Sequence, residues 1–342
     1  MKKRVWIMIM AALTAFFLVS CGKETPGAAQ TPEPTPAEAP APSPCPAPSP
    51  SPLPSPTPEP TPEPEYPTFG LTVLHTNDWH GNLDNVPRYA TLIGEIRAEE
   101  ENVLLLDGGD IFRRGPFEEW MGEVEIRIMN AMGYDALAFG NNDYPLNDRE
   151  LDDVSLHPVV QLAEFPLLSA NVTIDGEPLE GFAPYTVLNV GGLDIAIVGV
   201  TSMKPHNREN DISKWADFTE PDKAVEALLE EVRGVSDIQI VLSHAGIVAD
   251  RRMRGVHAII GADDHLKLFD VIEDGDREIP VVQAGGEEDH YLGRLDLRFA
   301  QIDGVWVLRS FDGRLLSIED VLPDGDVQLM IGGYQTDQDI AA

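Results

Sequence analysis

The 342-residue chain has little cysteine: Cys21 and Cys45 are its only two. That excludes a disulfide framework, so a packed core must hold the fold. Basic residues are also scarce, 24 against 58 acidic ones, for a formal net charge of −34. Such a balance excludes binding of nucleic acid polymers through their backbone, which requires basic surface. It also repels small anions unless something positive sits where they bind. No apolar run reaches the roughly 20 residues that span a bilayer, since the stretch Val5 to Val19 falls short. Internal repeats of solenoid period are missing too.

At the start, Lys2, Lys3 and Arg4 precede that apolar stretch. Basic start and apolar length read as a signal peptide over residues 1–20. The run ends in Leu18-Val19-Ser20-Cys21-Gly22, which resembles the lipobox of bacterial lipoproteins, where the cysteine becomes the lipidated first residue. The resemblance implies a lipid on Cys21, stable attachment to the cell membrane without a spanning helix, and an extracytoplasmic location. Residues 21–67 form a tether: between Lys23 and Pro67 lie 18 of the 29 prolines, alternating with Ala, Ser, Thr and Glu. Such a segment buries nothing and adopts an extended polyproline-like form, reaching ~100 Å or more at about 3.1 Å per residue. Cys45 lies alone within it and has no partner in its own chain once Cys21 is acylated.

Residues 68–342 are the length of one large α/β domain. Six acidic and four basic residues precede Thr68, leaving 52 against 20 in the domain. Leu71–Leu74, Val103–Leu106, Ala136–Phe139, Ile238–Leu242, Ala258–Ile260 and Pro280–Val282 read as buried strands. Val86–Ala98, Glu118–Met132 and Pro221–Val232 read as amphipathic helices between them. Two stretches read as antiparallel additions. Tyr185–Val200 turns at Gly191-Gly192, and Leu295–Ile318 is expected to turn at Asp303-Gly304 and again at Asp312-Gly313.

Nearly every buried strand ends in a polar cluster. Leu74 is followed by HTNDWHGN, Leu106 by DGGD, Phe139 by GNND, Leu242 by SHAG, Ile260 by GADDH and Val282 by QAGG. Carboxyl ends of strands in an open α/β sheet form one rim, where ligands bind. Each cluster alone has the composition of a turn or helix cap. Together they bring several carboxylates, a carboxamide and the imidazoles of His80, His244 and His265. Hard oxygens mixed with imidazole suit Zn, Mn or Fe rather than Ca. His75 reads as structural.

The stretches LHTNDWHGNL, LLLDGGDIFRRGP, MNAMGYDALAFGNND, FPLLSANV, VLSHAGIVAD, IIGADDH and VVQAGGEEDHYLGRLDL together resemble the calcineurin-like metallophosphoesterase domain of the bacterial 5'-nucleotidase family. They occur in the family's order and cover Leu71 to Leu297. The resemblance implies a four-layer α/β/β/α sandwich of two mixed sheets. It also implies two divalent metal ions, a small phosphorylated substrate such as a nucleotide, and hydrolysis by an activated water. On that pattern Asp78 and His80 ligate one metal, Asp110 bridges both, Asn141 and His244 ligate the second, and His265 ligates the first. His157, His206, His257 and His290 match no ligand position.

The chain departs from the family pattern in three places. Asn142 stands where the family has its catalytic histidine, and Pro145 where an aspartate orients that histidine. A carboxamide brings neither a positive charge nor a proton, and loss of a general acid costs about two to four decades in rate. The neighbouring Asp143 is a weak substitute. Asp263 replaces the first histidine of the Gly-Gly-His-x-His motif; as a metal ligand it would bias the site toward Mn, Mg or Fe. Asp264 beside it adds negative charge near the substrate. The chain also ends about 45 residues after the last motif, so nucleotide recognition is not carried over; a separate substrate-binding partner could supply it. Three readings follow: a slow phosphoesterase, a binding module without turnover, and an enzyme acting on a different ester, such as a sulfur-containing one.

Overall fold

The computed structural model describes residues 66–112, 114–144, 158–203 and 216–341. The signal peptide, Cys21, Cys45 and most of the tether lie outside the described residues, as do Pro145, His157 and His206. All described residues belong to the compact unit Glu63–Ala342.

In chain order, β1 (Thr68–Thr76) leads to α1 (Val86–Glu99), β2 (Val103–Asp107), α2 (Glu123–Met132), β3 (Ala136–Ala138), α3 (Pro158–Leu162) and β4 (Leu167–Leu168). Short strands β5 (Val172–Ile174) and β6 (Glu177–Pro178) precede the hairpin of β7 (Tyr185–Val190) and β8 (Leu193–Thr201). Then come β9 (Asp217–Phe218), α4 (Pro221–Val235), β10 (Ile238–His244), α5 (Ile247–Asp250) and β11 (Ala258–Gly261). The domain closes with β12 (Lys267–Asp274), β13 (Arg277–Ala284), β14 (Tyr291–Ile302), β15 (Val305–Ser317) and α6 (Gly325–Ala341).

Two six-stranded sheets carry the core, in the orders β15-β14-β1-β2-β3-β4 and β12-β13-β11-β10-β8-β7. Each is mixed. The neighbours of β2 and β10 run parallel to them, whereas β14–β15, β12–β13 and β7–β8 are antiparallel pairs. Alternate residues of each central strand enter different cores, because side chains in a strand point to opposite faces. Val73, Leu104, Leu106, Ile240, Leu242 and Ile260 pack between the sheets. Leu74 and Leu105 face outward with residues of α1 and α2, and Val241 and Ile259 face outward with residues of α4. Burial on both faces explains why these strands read as largely apolar runs. The arrangement is the expected α/β/β/α sandwich.

Two expectations are corrected. The helix expected over Glu118–Met132 is split into a 3-10 turn at Glu118–Trp120 and α2, because Met121 and Gly122 are left-handed, with φ of 48° and 85°. A side chain at Gly122 would also strike Val159 and Phe112, at 2.7 and 2.9 Å. Asp312-Gly313 makes no turn: β15 runs straight through it, with Gly313 opposite Leu295. There the glycine leaves room for the Phe269 ring of the other sheet, which a Cβ would strike. Several elements go beyond those expected: the short α3, α5, β4, β5, β6 and β9, the helix α6, and the edge strand β12, where Ile272 is the sole buried residue.

Glu125 of α2 is 1 % exposed, and its Oε2 has no hydrogen-bond partner among the described residues. Burial, with repulsion from Asp143, pushes its carboxyl from 4.5 up to about 7. Below pH 4.5 it is protonated folded or unfolded and costs nothing. As pH rises from 4.5 to 7 the unfolded chain releases the proton first, so stability is lost across that window, by at most about 3 kcal/mol. Glu125→Gln is therefore expected to flatten the fall in urea midpoint between pH 5 and pH 8. Parallel pH profiles for variant and parent would show that Glu125 is not the group responsible.

Candidate metal centre

The parallel strands β1, β2, β3, β10 and β11 set down their carboxyl-end loops together. Beyond the strand ends β1 and β2 keep bonding. Gly108 N donates to Thr76 O, Asp78 N to Gly109 O, His80 N to Asp110 O and Gly81 N to Ile111 O, all at 2.8–2.9 Å. The β3 loop joins them through Asn142 N, which donates to Asp110 Oδ1 at 2.7 Å. Six non-glycine residues in these loops have positive φ: Asp78, His80, Asp110, Arg114, Asp263 and His265. Such backbone costs energy and gathers where surrounding structure holds side chains for function.

Two groups of donor atoms result, one from Asp78, His80 and His265 and one from Asp78, Asp110 and His244. His265 Nε2 lies 3.3 Å from both His80 Nε2 and Asp78 Oδ1. His244 Nε2 lies 3.2 Å from Asp110 Oδ2 and 3.9 Å from both Asp78 Oδ1 and Asp263 Oδ1. Atoms spaced like this can each reach one cation at about 2.0–2.2 Å. Asp78 Oδ1 is common to both groups, and Asp110 Oδ2, 3.2 Å from His244 Nε2, is 3.8 Å from His80 Nε2. Asp263 belongs to neither group and approaches the second through Oδ1, 3.9 Å from His244 Nε2. Asn141 is half-buried on the loop that Asn142 ties to Asp110.

The donors are held by neighbours that leave one atom of each for a cation. His244 Nδ1 bonds Gly108 O at 2.8 Å, which fixes the ring with Nε2 directed at the carboxylates. Asp78 Oδ2 accepts from Asn77 Nδ2 at 2.6 Å and Asp263 N at 3.1 Å. His244 Nε2 and Asp78 Oδ1 are both buried without a hydrogen bond among the described residues. The charge balance agrees. Burial alone would lower the His244 pKa, but Asp110, Asp78 and Asp263 hold it well above the usual histidine range. Burial would raise Asp110, yet His244 and His80 hold it below the usual carboxylate range. Buried carboxylates that hold a neighbouring imidazole protonated would bind a divalent cation in its place. The residues fit the implied metals.

Three expected roles look different here. Asp143, suggested as a weak catalytic substitute, is fully buried, and its oxygens accept from Asp110 N at 2.6 Å, Ile111 N at 2.9 Å and Gly140 N at 2.9 Å. It holds the loops together as a buried hydrogen-bond acceptor, and burial with repulsion from Asp110 raises its pKa to about 7. Asp264 Oδ2 accepts from Ile247 N at 2.5 Å, so it fixes the start of α5. Asn142 is no bystander: its Nδ2 donates to Asp110 Oδ2, and its Oδ1 faces Arg114 at 3.4 Å. His75 is buried on β1 and its pKa is pushed down to about 3 by burial, as a structural residue should be.

Glu287 and Arg114 have no role in the pattern read from the sequence. Glu287 Oε2 lies 3.2 Å from His265 Nδ1 and 3.8 Å from His80 Nε2, in the arrangement by which a carboxylate orients a metal-bound imidazole. The visible signal was an acidic pair inside the last motif. Glu287→Gln is expected to weaken metal binding about 10–100-fold, read by competition with a chromogenic chelator. An unchanged affinity would leave Glu287 as surface charge only.

The family described as calcineurin-like phosphoesterase matches residues 71–270. The chain belongs to that family.

The chain is 32% identical over 271 residues to the trifunctional nucleotide phosphoesterase YfkN of Bacillus subtilis, covering 67% of the present chain and 18% of YfkN. It is 31% identical over 273 residues to the 5'-nucleotidase of Homo sapiens, covering 67% and 46%. Among solved structures it superimposes on the 5'-nucleotidase precursor of Thermus thermophilus with a TM-score of 0.65 and 26% identity, covering 79% of this chain and 59% of that one. The chain thus spans about half or less of the length of the curated relatives it matches.

Proposed function

We propose that this protein is a lipid-anchored, extracytoplasmic phosphoesterase that hydrolyses small phosphate esters, nucleotides among them, with two divalent cations of Zn, Mn or Fe. The observation that carries the reading is the convergence of Asp78, His80, Asp110, His244 and His265, with Asp78 Oδ1 and His244 Nε2 left for a cation. With Asn141 and Asp263 these residues would hold the ions, which when bound polarise the phosphoryl group and activate a water. The protein's own part is positional: Gly108 O sets the His244 ring, Asn77 sets Asp78, and Asp143 fixes the loop of Asp110. Bound cations would also supply the positive charge that the acidic surface lacks. The activity named for YfkN supports a nucleotide or related ester as substrate. The basic start, apolar run and Leu-Val-Ser-Cys ending support the anchor at Cys21, with residues 21–67 as its tether.

Asn142 at the position of the family's histidine favours one second reading, a fold kept for binding without turnover. Metal analysis of the purified protein, followed by assays on AMP, nitrophenyl phosphate and bis-nitrophenyl phosphate, separates the two. Metal with measurable hydrolysis supports the enzyme, and metal without hydrolysis supports the binding module. No transition metal at near-stoichiometric level defeats the enzyme and leaves the binding module, in its metal-free form. Membrane fractionation of the full chain beside Cys21→Ser tests the anchor, which fails if both partition alike.

A further inference from the structure

Phosphoryl transfer builds negative charge on the non-bridging oxygens, and an enzyme must meet that charge with fixed donors. Asn142 offers at most one neutral N–H: its Nδ2 already donates to Asp110 Oδ2, and its Oδ1 points to the Arg114 guanidinium at 3.4 Å, the long end of hydrogen-bonding range. The carboxamide is thus a strut between a ligand carboxylate and an arginine. Arg114 lies on a loop that the protein holds firmly. Its backbone is left-handed, with φ of 67°, an arrangement that non-glycine side chains rarely adopt. The next residue, Gly115, presses so closely on the Asp78–Gly81 loop that a Cβ would collide with Gly81 O. Upstream, Asp110 O and Ile111 O accept from His80 N and Gly81 N. The loop carrying the guanidinium is therefore fastened to the loop carrying two metal ligands, and its positive charge is felt by buried His80.

We propose that Arg114 grips the phosphoryl oxygens of the substrate, positioned for this by Asn142, so that the pair replaces the charged histidine of the related enzymes. The inference rests on the phosphoesterase reading above. A guanidinium suits this role because it is always charged and presents two parallel N–H donors to a phosphate. It differs from histidine in keeping its protons. Hydrolysis adds one water across the P–O bond. The water oxygen bonds phosphorus and yields a proton to solvent, while the leaving oxygen departs with the bonding pair and takes its proton from solvent. Arg114 stabilises charge throughout and transfers nothing. The site should therefore favour esters whose leaving oxygen is a stable anion. Its rate should also lack the descending alkaline limb that a catalytic imidazolium produces.

The test uses the full chain with manganese in excess. Metal content is measured by mass spectrometry and inorganic phosphate affinity by calorimetry, for wild type, Arg114→Ala, Arg114→Lys, Asn142→Ala and the double alanine variant. Arg114→Ala is expected to keep its metal and its melting temperature but bind phosphate about tenfold or more weakly, with Arg114→Lys between. Asn142→Ala is expected to weaken phosphate binding when Arg114 is present and to add nothing in the Arg114→Ala background. Equal phosphate affinity for wild type and Arg114→Ala, at equal metal content, overturns the proposal. An Asn142→Ala penalty that persists without Arg114 overturns the positioning role. A wild-type protein that holds no zinc, manganese or iron overturns the underlying phosphoesterase reading instead, and metal content registers that failure separately.

Discussion

Asp110→Ala is expected to cost the protein its cations and to lower phosphate-ester hydrolysis by on the order of 10³-fold or more. A metal centre of this kind contributes several kcal/mol of transition-state charge stabilisation, and each 1.36 kcal/mol is a factor of ten. Asp110 reaches two of the three imidazoles of the centre, at 3.2 Å from His244 Nε2 and 3.8 Å from His80 Nε2. Its oxygens also anchor Asn142, through the backbone N–H and through the side-chain amide. The truncation therefore removes a negative charge that draws the cations and the point where the β2 and β3 loops meet. Asp110→Asn separates these effects in part, since it keeps size and one of the two acceptor oxygens while removing the charge and turning the other oxygen into a donor. Metal per chain and kcat are the measurements. Two cations retained with activity within tenfold of the parent would mean that Asp110 is not a ligand.

Gly140→Ala is expected to lower Tm by ~6–12 °C and to take the metal centre with it. A Cβ at Gly140 would collide with Asp110 Oδ1 and Asp110 N and sit 2.7 Å from Asp110 Cγ. Those atoms have nowhere to go, because Asp143 and Asn142 already bond the same loop. Overpacking of this kind costs roughly 3 kcal/mol at its upper range, which for a domain of this size is about 2–4 °C per kcal/mol. Gly94→Ala is the control. Gly94 is an exposed position within α1, and its Cβ would meet nothing within 4 Å. Alanine there should leave metal content alone and raise stability by about 0.5–1 kcal/mol. Equal melting temperatures for the two variants would contradict the packing drawn around Gly140.

Most of the sandwich was legible in the sequence because its central strands are buried on both faces. Leu71–Leu74 and Ile238–Leu242 each contain a single polar residue, Thr72 and Gln239, too few to disguise an apolar run. Edge elements were less legible. In β12 charge alternates with apolar residues on a mostly exposed strand, so the run that signals a core strand is missing. At Asp312-Gly313 the local composition says turn, yet β15 continues because the Phe269 ring from the opposite sheet fills the glycine's space.

The same division runs through the metal centre. Sequence by itself determined which strand ends carry donors: Asp78 and His80 after β1, Asp110 after β2, His244 at the end of β10 and His265 after β11. Those positions follow from strand periodicity and from polar residues placed where a parallel strand must stop. Only the tertiary structure decided that Asp143 is a buried loop anchor, that Glu287 faces His265, and that Asn142 links Asp110 to Arg114. Each of those contacts joins segments that come together through sheet pairing and loop packing. Local pattern fixes where a side chain sits along its own segment, whereas the distance between segments is fixed by everything packed beneath them.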